Sequence, residues 1–418
     1  MHFLKVGLLF ATSTLSKLLA GLVVVKIIAV YIGAEGLGRL GQFMSLMSMV
    51  TILAGGGITT GIIKYVAEYK DDESEVKSYL AAASLVTVVS SFFVGAALFF
   101  GAPIISLWLI KTVEYSNVIR VLALAQFFIA SANLLMGLLN GYRRVHAFAI
   151  INSLGVIIGA AGVALGCIFY GIRGAMYGLI WMPASILLLL LPWYRFKLKF
   201  EWRDLIPVWE QKKIRQFKNF SLMLIVTVVT MQMSQIIIRN IIVTRDSWVQ
   251  VGYWQAVSRV SDAYLQFITV VLANYYLPRL SELKSDWEIR AEVNSVYKYA
   301  MPILLSMGII IFLSRNYIIQ ILFSKDFLPM KDFFTWQLMG DGFKVAAYIA
   351  CYVAVAKANM RLYIGAEIFQ AGLLLCLSFL FIAKYGAIGA TYAYFLCYLI
   401  YFLISFVALR MYFLKYKM

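Results

Sequence analysis

The chain is short of charge. Asp, Glu, Lys and Arg make up 14% of its 418 residues, and acids are the scarcer sign, 20 against 37 Lys and Arg. Soluble domains carry about a quarter charged residues, so a soluble globular fold is excluded. Histidine occurs twice, and the four cysteines, Cys167, Cys351, Cys376 and Cys397, stand in or beside apolar runs without a CxxC spacing. That pattern supports neither a zinc site nor a disulfide framework, and no cofactor is implied. Walker A, GxSxG and HExxH patterns are also missing, which removes the motif-based case for ATP hydrolysis and for nucleophilic or zinc hydrolases. Gly36-Leu37-Gly38-Arg39-Leu40-Gly41 matches GxGxxG by letter. No strand precedes it, however, and Gly55-Gly56-Gly57 stands where a ribose-binding acid belongs, so its glycines read as a tight turn.

What the chain has is apolar length. Hydrophobic residues make up 62% and mean hydropathy is +0.84. At roughly 20 residues per bilayer crossing, the uninterrupted runs predict twelve transmembrane helices. They fall near 6–32, 41–66, 79–101, 118–140, 147–169, 174–194, 219–243, 251–278, 296–314, 333–356, 361–383 and 387–410. Arg315 and the run from Tyr317 to Phe323 belong either to the ninth span or to an interfacial helix. The first run is too long for a signal peptide, carries Lys17 and Lys26, and reads as a retained helix. Gly55-Gly56-Gly57 and Thr59-Thr60-Gly61 in the second read first as close-packing positions and secondly as a bend.

Placing the N-terminus inside puts basic residues in the inner loops over the outer ones by about two to one, so both termini are expected in the cytoplasm. This topology absorbs most of the basic excess, and no nucleic-acid partner is implied. The longest inner loop, Arg195 to Lys218, separates six spans from six. Tyr170-Gly171-Ile172-Arg173-Gly174-Ala175-Met176-Tyr177 recurs 215 positions on as Tyr385-Gly386-Ala387-Ile388-Gly389-Ala390-Thr391-Tyr392. At an offset of 213, Lys26 pairs with Arg239 and Gln42 with Gln255. The expected architecture is an all-α polytopic membrane protein: a six-helix lobe over 1–194, a basic linker over 195–218 and a second six-helix lobe over 219–418. Because six is even, the lobes are parallel repeats around a central cavity.

Ionisable groups inside spans cost about 2.5–3.5 kcal/mol each on insertion scales and normally face water or a partner. Lys17 and Lys26 lie nine apart on the first helix, on opposite sides of it, so that at most one faces the cavity squarely. Lys26 has a repeat partner; Lys17 serves equally well as a snorkelling or paired residue. Arg259 with Asp262, and Asp341 with Lys344, are i,i+3 pairs that share helix faces. They serve either internal neutralisation or the handling of anions and protons. Glu367 is a protonation candidate or a structural hydrogen-bond partner.

Three stretches carry a resemblance. They are Ser16-Lys17-Leu18-Leu19-Ala20-Gly21 through Lys26 to Gly36-Leu37-Gly38; Trp254-Gln255-Ala256-Val257-Ser258-Arg259-Val260-Ser261-Asp262-Ala263-Tyr264-Leu265-Gln266-Phe267-Ile268-Thr269; and Trp336-Gln337-Leu338-Met339-Gly340-Asp341 with Lys344, continuing to Ala356-Lys357-Ala358, Arg361, Tyr363 and Glu367. Over its full length the chain resembles the Wzx-type flippases for O-antigen and enterobacterial common antigen (lipid III), within the multidrug/oligosaccharidyl-lipid/polysaccharide exporter superfamily. The resemblance implies two lobes alternately opening to cytoplasm and periplasm in a bacterial inner membrane. It implies a cargo of undecaprenyl diphosphate bearing an oligosaccharide repeat, ion-gradient coupling, and a polysaccharide polymerase and chain-length regulator as candidate partners beside the membrane lipids. Arg259 departs from that branch, where a small residue stands. A diphosphate needs a cationic path, which makes Lys26, Arg259, Lys344 and Lys17 the candidate cavity contacts and Asp262, Asp341 and Glu367 the candidate coupling or charge-partner carboxylates. A membrane polymerase or ligase predicts a large outer loop with catalytic cations, and the outer loops here are short. A multidrug-cation antiporter predicts a cavity dominated by carboxylates.

Overall fold

The computed structural model describes residues 20–197, 202–356 and 360–415. Lys17, most of the first predicted helix before residue 20, linker residues 198–201 and Lys357 lie outside the described residues. Regular structure is helical throughout: α1 (Ala20–Tyr31), α2 (Gly33–Ala54), α3 (Thr59–Glu68), α4 (Glu73–Ile110), α5 (Ser116–Gly141), α6 (Val145–Lys197), α7 (Gln211–Arg245), α8 (Trp248–Val271), α9 (Leu277–Glu282), α10 (Asp286–Leu322), α11 (Phe334–Ala356), α12 (Met360–Tyr385) and α13 (Gly389–Lys415). Among the described residues, seven stretches are long and apolar enough to cross a membrane, and two of them, Val145–Leu190 with 46 residues and Ile364–Phe413 with 50, have the length of two crossings. Phe92, Phe100, Ile104 and Leu313 project outward from α4 and α10. In lipid that exposure carries no penalty, because the surroundings are as apolar as the side chains.

The long helix α6 is a hairpin. Gly171 reverses the chain at φ 59°, and Gly166 then lies against Gly174, Val163 against Gly178 and Met182 against Gly159. A Cβ on Gly174 would collide with the Gly166 carbonyl. The second half repeats the device 215 residues later: Gly386 has φ 66°, and a Cβ on Gly389 would collide with the carbonyl of Phe381, the counterpart of Gly166. The matched offsets read in the sequence are thus matched turns with matched close approaches.

Elsewhere the expectations need revision. The pattern Gly36 to Gly41 is not a turn: it is helical, the positive φ falls earlier, at Gly33 (71°), and a Cβ on Gly38 would stand 2.8 Å from the Trp248 carbonyl oxygen. Of the two placements offered for Arg315 and the Tyr317 run, the first holds: they belong to α10, the helix of the ninth predicted span, which is continuous to Leu322. The second predicted span is broken at Gly55–Ile58, with Gly56 and Gly57 at positive φ. That break and close packing coincide. A Cβ on Gly57 would meet the Ser221 carbonyl oxygen at 2.9 Å, and one on Gly61 the Phe217 ring at 2.7 Å. Helix takes up both ends of the predicted linker 195–218: α6 runs to Lys197 and α7 begins at Gln211, with Phe217 buried in its second turn.

Contacts divide the chain into two units. The first takes the described residues to Ile32 together with Leu40–Gln232; its core joins α3, α4, α5 and the start of α7 through Ile62, Tyr65, Tyr79, Leu138 and Phe217. The second takes Gly33–Arg39 and Met233 onward. Its core joins α8, α9, α10 and α11 through Leu265, Leu280, Ile289, Val345 and Ile349, and Tyr276, between α8 and α9, donates its hydroxyl to the Ile349 carbonyl at 3.0 Å.

Candidate functional site

Asp341 is the carboxylate that the second unit removes from solvent altogether, at 0% exposure. The Tyr264 hydroxyl of α8 donates to Oδ2 and the Tyr394 hydroxyl of α13 to Oδ1, each at 2.8 Å. Gly340 makes this possible, since a side chain there would run into the Tyr394 ring. A buried carboxylate persists only where hydrogen bonds or charge compensate its lost hydration. Here two phenols from separate helices do so.

Lys344 lies one turn along α11 from Asp341 and Tyr348 one turn further, so all three share a face. The Lys344 ammonium rests over the rings of Tyr398 at 5.5 Å and Tyr394 at 5.8 Å. Asp262, Asp341 and Glu367 are its charged neighbours. Gln370 Nε2, on α12 with Glu367, donates to the Tyr398 hydroxyl at 2.8 Å, tying the half-buried carboxylate's helix to the same tyrosine. Lys344, Val345 and Tyr348 then line a cavity of about 270 Å³ opposite Asp262, Leu265, Gln266 and Thr269 of α8. A cavity of that size has room for a solvated polar group between a cation and an exposed carboxylate.

Of the residues singled out in the sequence, the fold brings together Asp262, Asp341, Lys344 and Glu367. Arg259, half-buried, joins them through Asp262, its electrostatic neighbour one turn along α8. Lys26, half-buried on α1, belongs to the first unit.

Arg239 was missed as a candidate, although the predicted span 219–243 contains it. It is a buried residue of α7, 4% exposed. Its Nε and Nη2 donate to Gln255 Oε1 at 3.0 and 2.6 Å, and its guanidinium stacks on Trp254 at 5.5 Å. The signal was present: Arg239 and Gln255 are the positions that the repeat pairs with Lys26 and Gln42. Tyr264 and Tyr394 were missed too. Tyr264 lies inside the quoted Trp254 to Thr269 stretch, but nothing local says that its hydroxyl reaches another helix.

Helical hairpins repeated around Gly171 and Gly386, with ionisable groups buried among long apolar helices, define a multi-pass membrane fold. The solved structures agree. A multidrug resistance MATE family transporter of the MOP superfamily, inward-facing, superposes with a TM-score of 0.76 over 96% of each chain at 14% identity. The lipid II flippase MurJ, inward closed, gives 0.73 over 97% of this chain and 87% of its own at 15% identity. At such identities these establish the fold alone. The sequence goes further: residues 3–284 match the polysaccharide biosynthesis protein family, and the chain belongs to that family. It is 36% identical to the lipid III flippases of Escherichia coli (strain K12) and Shigella flexneri, over 96% of this chain and 97% of theirs.

Proposed function

We propose that the protein is a flippase that carries an oligosaccharide linked to a polyprenyl diphosphate from the cytoplasmic to the periplasmic leaflet of a bacterial inner membrane. The observation that carries this reading is the full-length match to lipid III flippases, joined to cations held at membrane depth. A diphosphate with sugars cannot enter hydrocarbon without compensation, whereas its prenyl tail can remain there. Lys26 of the first unit and Arg259 of the second are assigned to the diphosphate, each approached in turn as two lobes, 1–194 and 219–418, alternate their opening. Lys17 is assigned to the same path.

Lys344, with three carboxylates as neighbours, has less attraction to spare for an anion. It is assigned to the cavity wall, where it and Asp262 contact the polar head. Asp341, held by Tyr264 and Tyr394, and Glu367, on the helix that bonds Tyr398, are assigned to coupling with an ion gradient. Both termini are assigned to the cytoplasm, a reading that the excess of Lys and Arg in the loops on that side supports. A polysaccharide polymerase and a chain-length regulator are the partners that would consume the delivered unit. The fold also houses multidrug transporters, but the mixture of Lys26, Arg239, Arg259 and Lys344 with few acids favours an anionic cargo.

The test is complementation of a flippase-deleted strain. Lys26→Ala and Arg259→Ala proteins are expected to reach the membrane yet leave surface polysaccharide unrestored, with intact lipid-linked units accumulating on the inner leaflet. Normal restoration by both removes the diphosphate assignment. Unpolymerised units stranded outside would instead indicate a polymerase.

A further inference from the structure

A second basic site lies in the first unit, apart from the cluster around Asp341. The segment between α6 and α7 is fastened along the first turns of α4. Asp204 pairs with Lys77 at 3.6 Å, Glu210 bonds to Ser78, and the Val208 amide donates to the Ala81 carbonyl at 3.4 Å. Lys213 is buried and engages Glu75 at 3.1 Å and Glu210 at 3.4 Å while lying over the Tyr79 ring. Among the described residues, Glu75, Asp204 and Glu210 are therefore all engaged. Lys212 and Arg215, on either side of Lys213, point the other way. Both are exposed, and among the described residues neither has an ion pair or hydrogen bond. With Gln211 and Gln216 they line a recess of about 580 Å³. Gln216 is fixed by the Tyr79 hydroxyl, which donates to its Oε1 at 2.7 Å, leaving the amide N–H groups to donate elsewhere. Immediately before the recess, three apolar side chains face outward: Ile206, Val208 and, at 75% exposure, Trp209.

A rigidly tied segment that sets unpaired cations beside an exposed tryptophan and two aliphatic side chains has the chemistry of the membrane interface. Tryptophan prefers headgroup depth, and paired basic residues attract anionic lipid. We propose that the Lys212–Arg215 recess is a headgroup site for an anionic phospholipid of the surrounding leaflet, with Ile206, Val208 and Trp209 seated among the upper acyl carbons. The ion pairs of Lys213 hold the platform; the charges of Lys212 and Arg215 do the binding.

The full-length protein in nanodiscs tests this without reference to cargo or transport. Phosphatidylglycerol discs are expected to raise the unfolding temperature above that in phosphatidylcholine discs, and native mass spectrometry is expected to show retained phosphatidylglycerol. In Lys212→Gln/Arg215→Gln, both effects should fall, with headgroup affinity about 30-fold weaker from two surface cations. Neither residue has a partner to lose, so the variant in phosphatidylcholine should match the parent. Lys213→Gln, by contrast, should lower stability equally in both lipids. Equal phosphatidylglycerol retention by parent and double variant overturns the proposal. Retention of added undecaprenyl phosphate with indifference to phosphatidylglycerol also overturns it, reassigning the recess to the prenyl lipid.

Discussion

Replacing Asp341 separates its charge from its shape. In Asp341→Asn the side chain keeps its volume, and one oxygen still accepts a hydroxyl, but the amide nitrogen cannot. One of the two phenols that now donate at 2.8 Å, Tyr264 or Tyr394, must lose its acceptor in a site of 0% exposure. A buried unsatisfied hydroxyl costs about 1–3 kcal/mol, or about 5- to 150-fold in the ratio of folded to unfolded protein. Asp341→Ala strands both phenols and opens a cavity as well, so it should be distinctly worse than Asn. Asp341→Asn/Tyr394→Phe removes the stranded hydroxyl and should recover part of the loss, a coupling that a double-mutant cycle reads directly. The assay is thermal unfolding of purified protein in one detergent, run beside complementation and membrane abundance. Asp262→Asn, an exposed carboxylate on the cavity wall, is the control and should move stability little. If Asp341→Ala is no less stable than Asp262→Asn, the tyrosine-held carboxylate is not what the geometry describes. If Asp341→Asn is folded and transports normally, its charge takes no part in coupling.

Gly340→Ala should push Tyr394 off Asp341 and mimic the loss of one phenol, about 1–3 kcal/mol, whereas Gly342→Ala, with open space around its Cα, should be nearly silent; paired melting curves distinguish them. Gly57→Ala combines a positive φ with a collision against the Ser221 backbone, so folded yield by size-exclusion fluorescence should drop sharply. Arg239→Lys keeps the charge but cannot reproduce a two-pronged contact with Gln255 or the stacking on Trp254, and it should lower thermal stability by about 2 kcal/mol or more. Unchanged melting of that variant would mean that the buried guanidinium is not held by those two residues.

Much of the architecture could be read in one dimension because lipid imposes a simple rule: the backbone must satisfy its own hydrogen bonds within each crossing, so apolar length translates directly into helix. The repeat was equally legible. A chain reversal between antiparallel helices demands glycine where φ turns positive and where backbones touch, and Gly171, Gly174, Gly386 and Gly389 meet that demand at a constant offset. The cost of burying charge marked Arg259, Asp262, Asp341, Lys344 and Glu367 for attention before any coordinates. Partnership was not legible. The i,i+3 spacing tied Asp341 to Lys344, yet the hydrogen bonds of Asp341 go to Tyr264 and Tyr394, 77 residues before it and 53 after. Nothing local in the sequence showed that Arg239 would be held by Gln255 and Trp254. Helical order is decided locally by solvent and spacing, whereas the satisfaction of a buried polar group depends on which distant helix faces it, and only packing in three dimensions settles that.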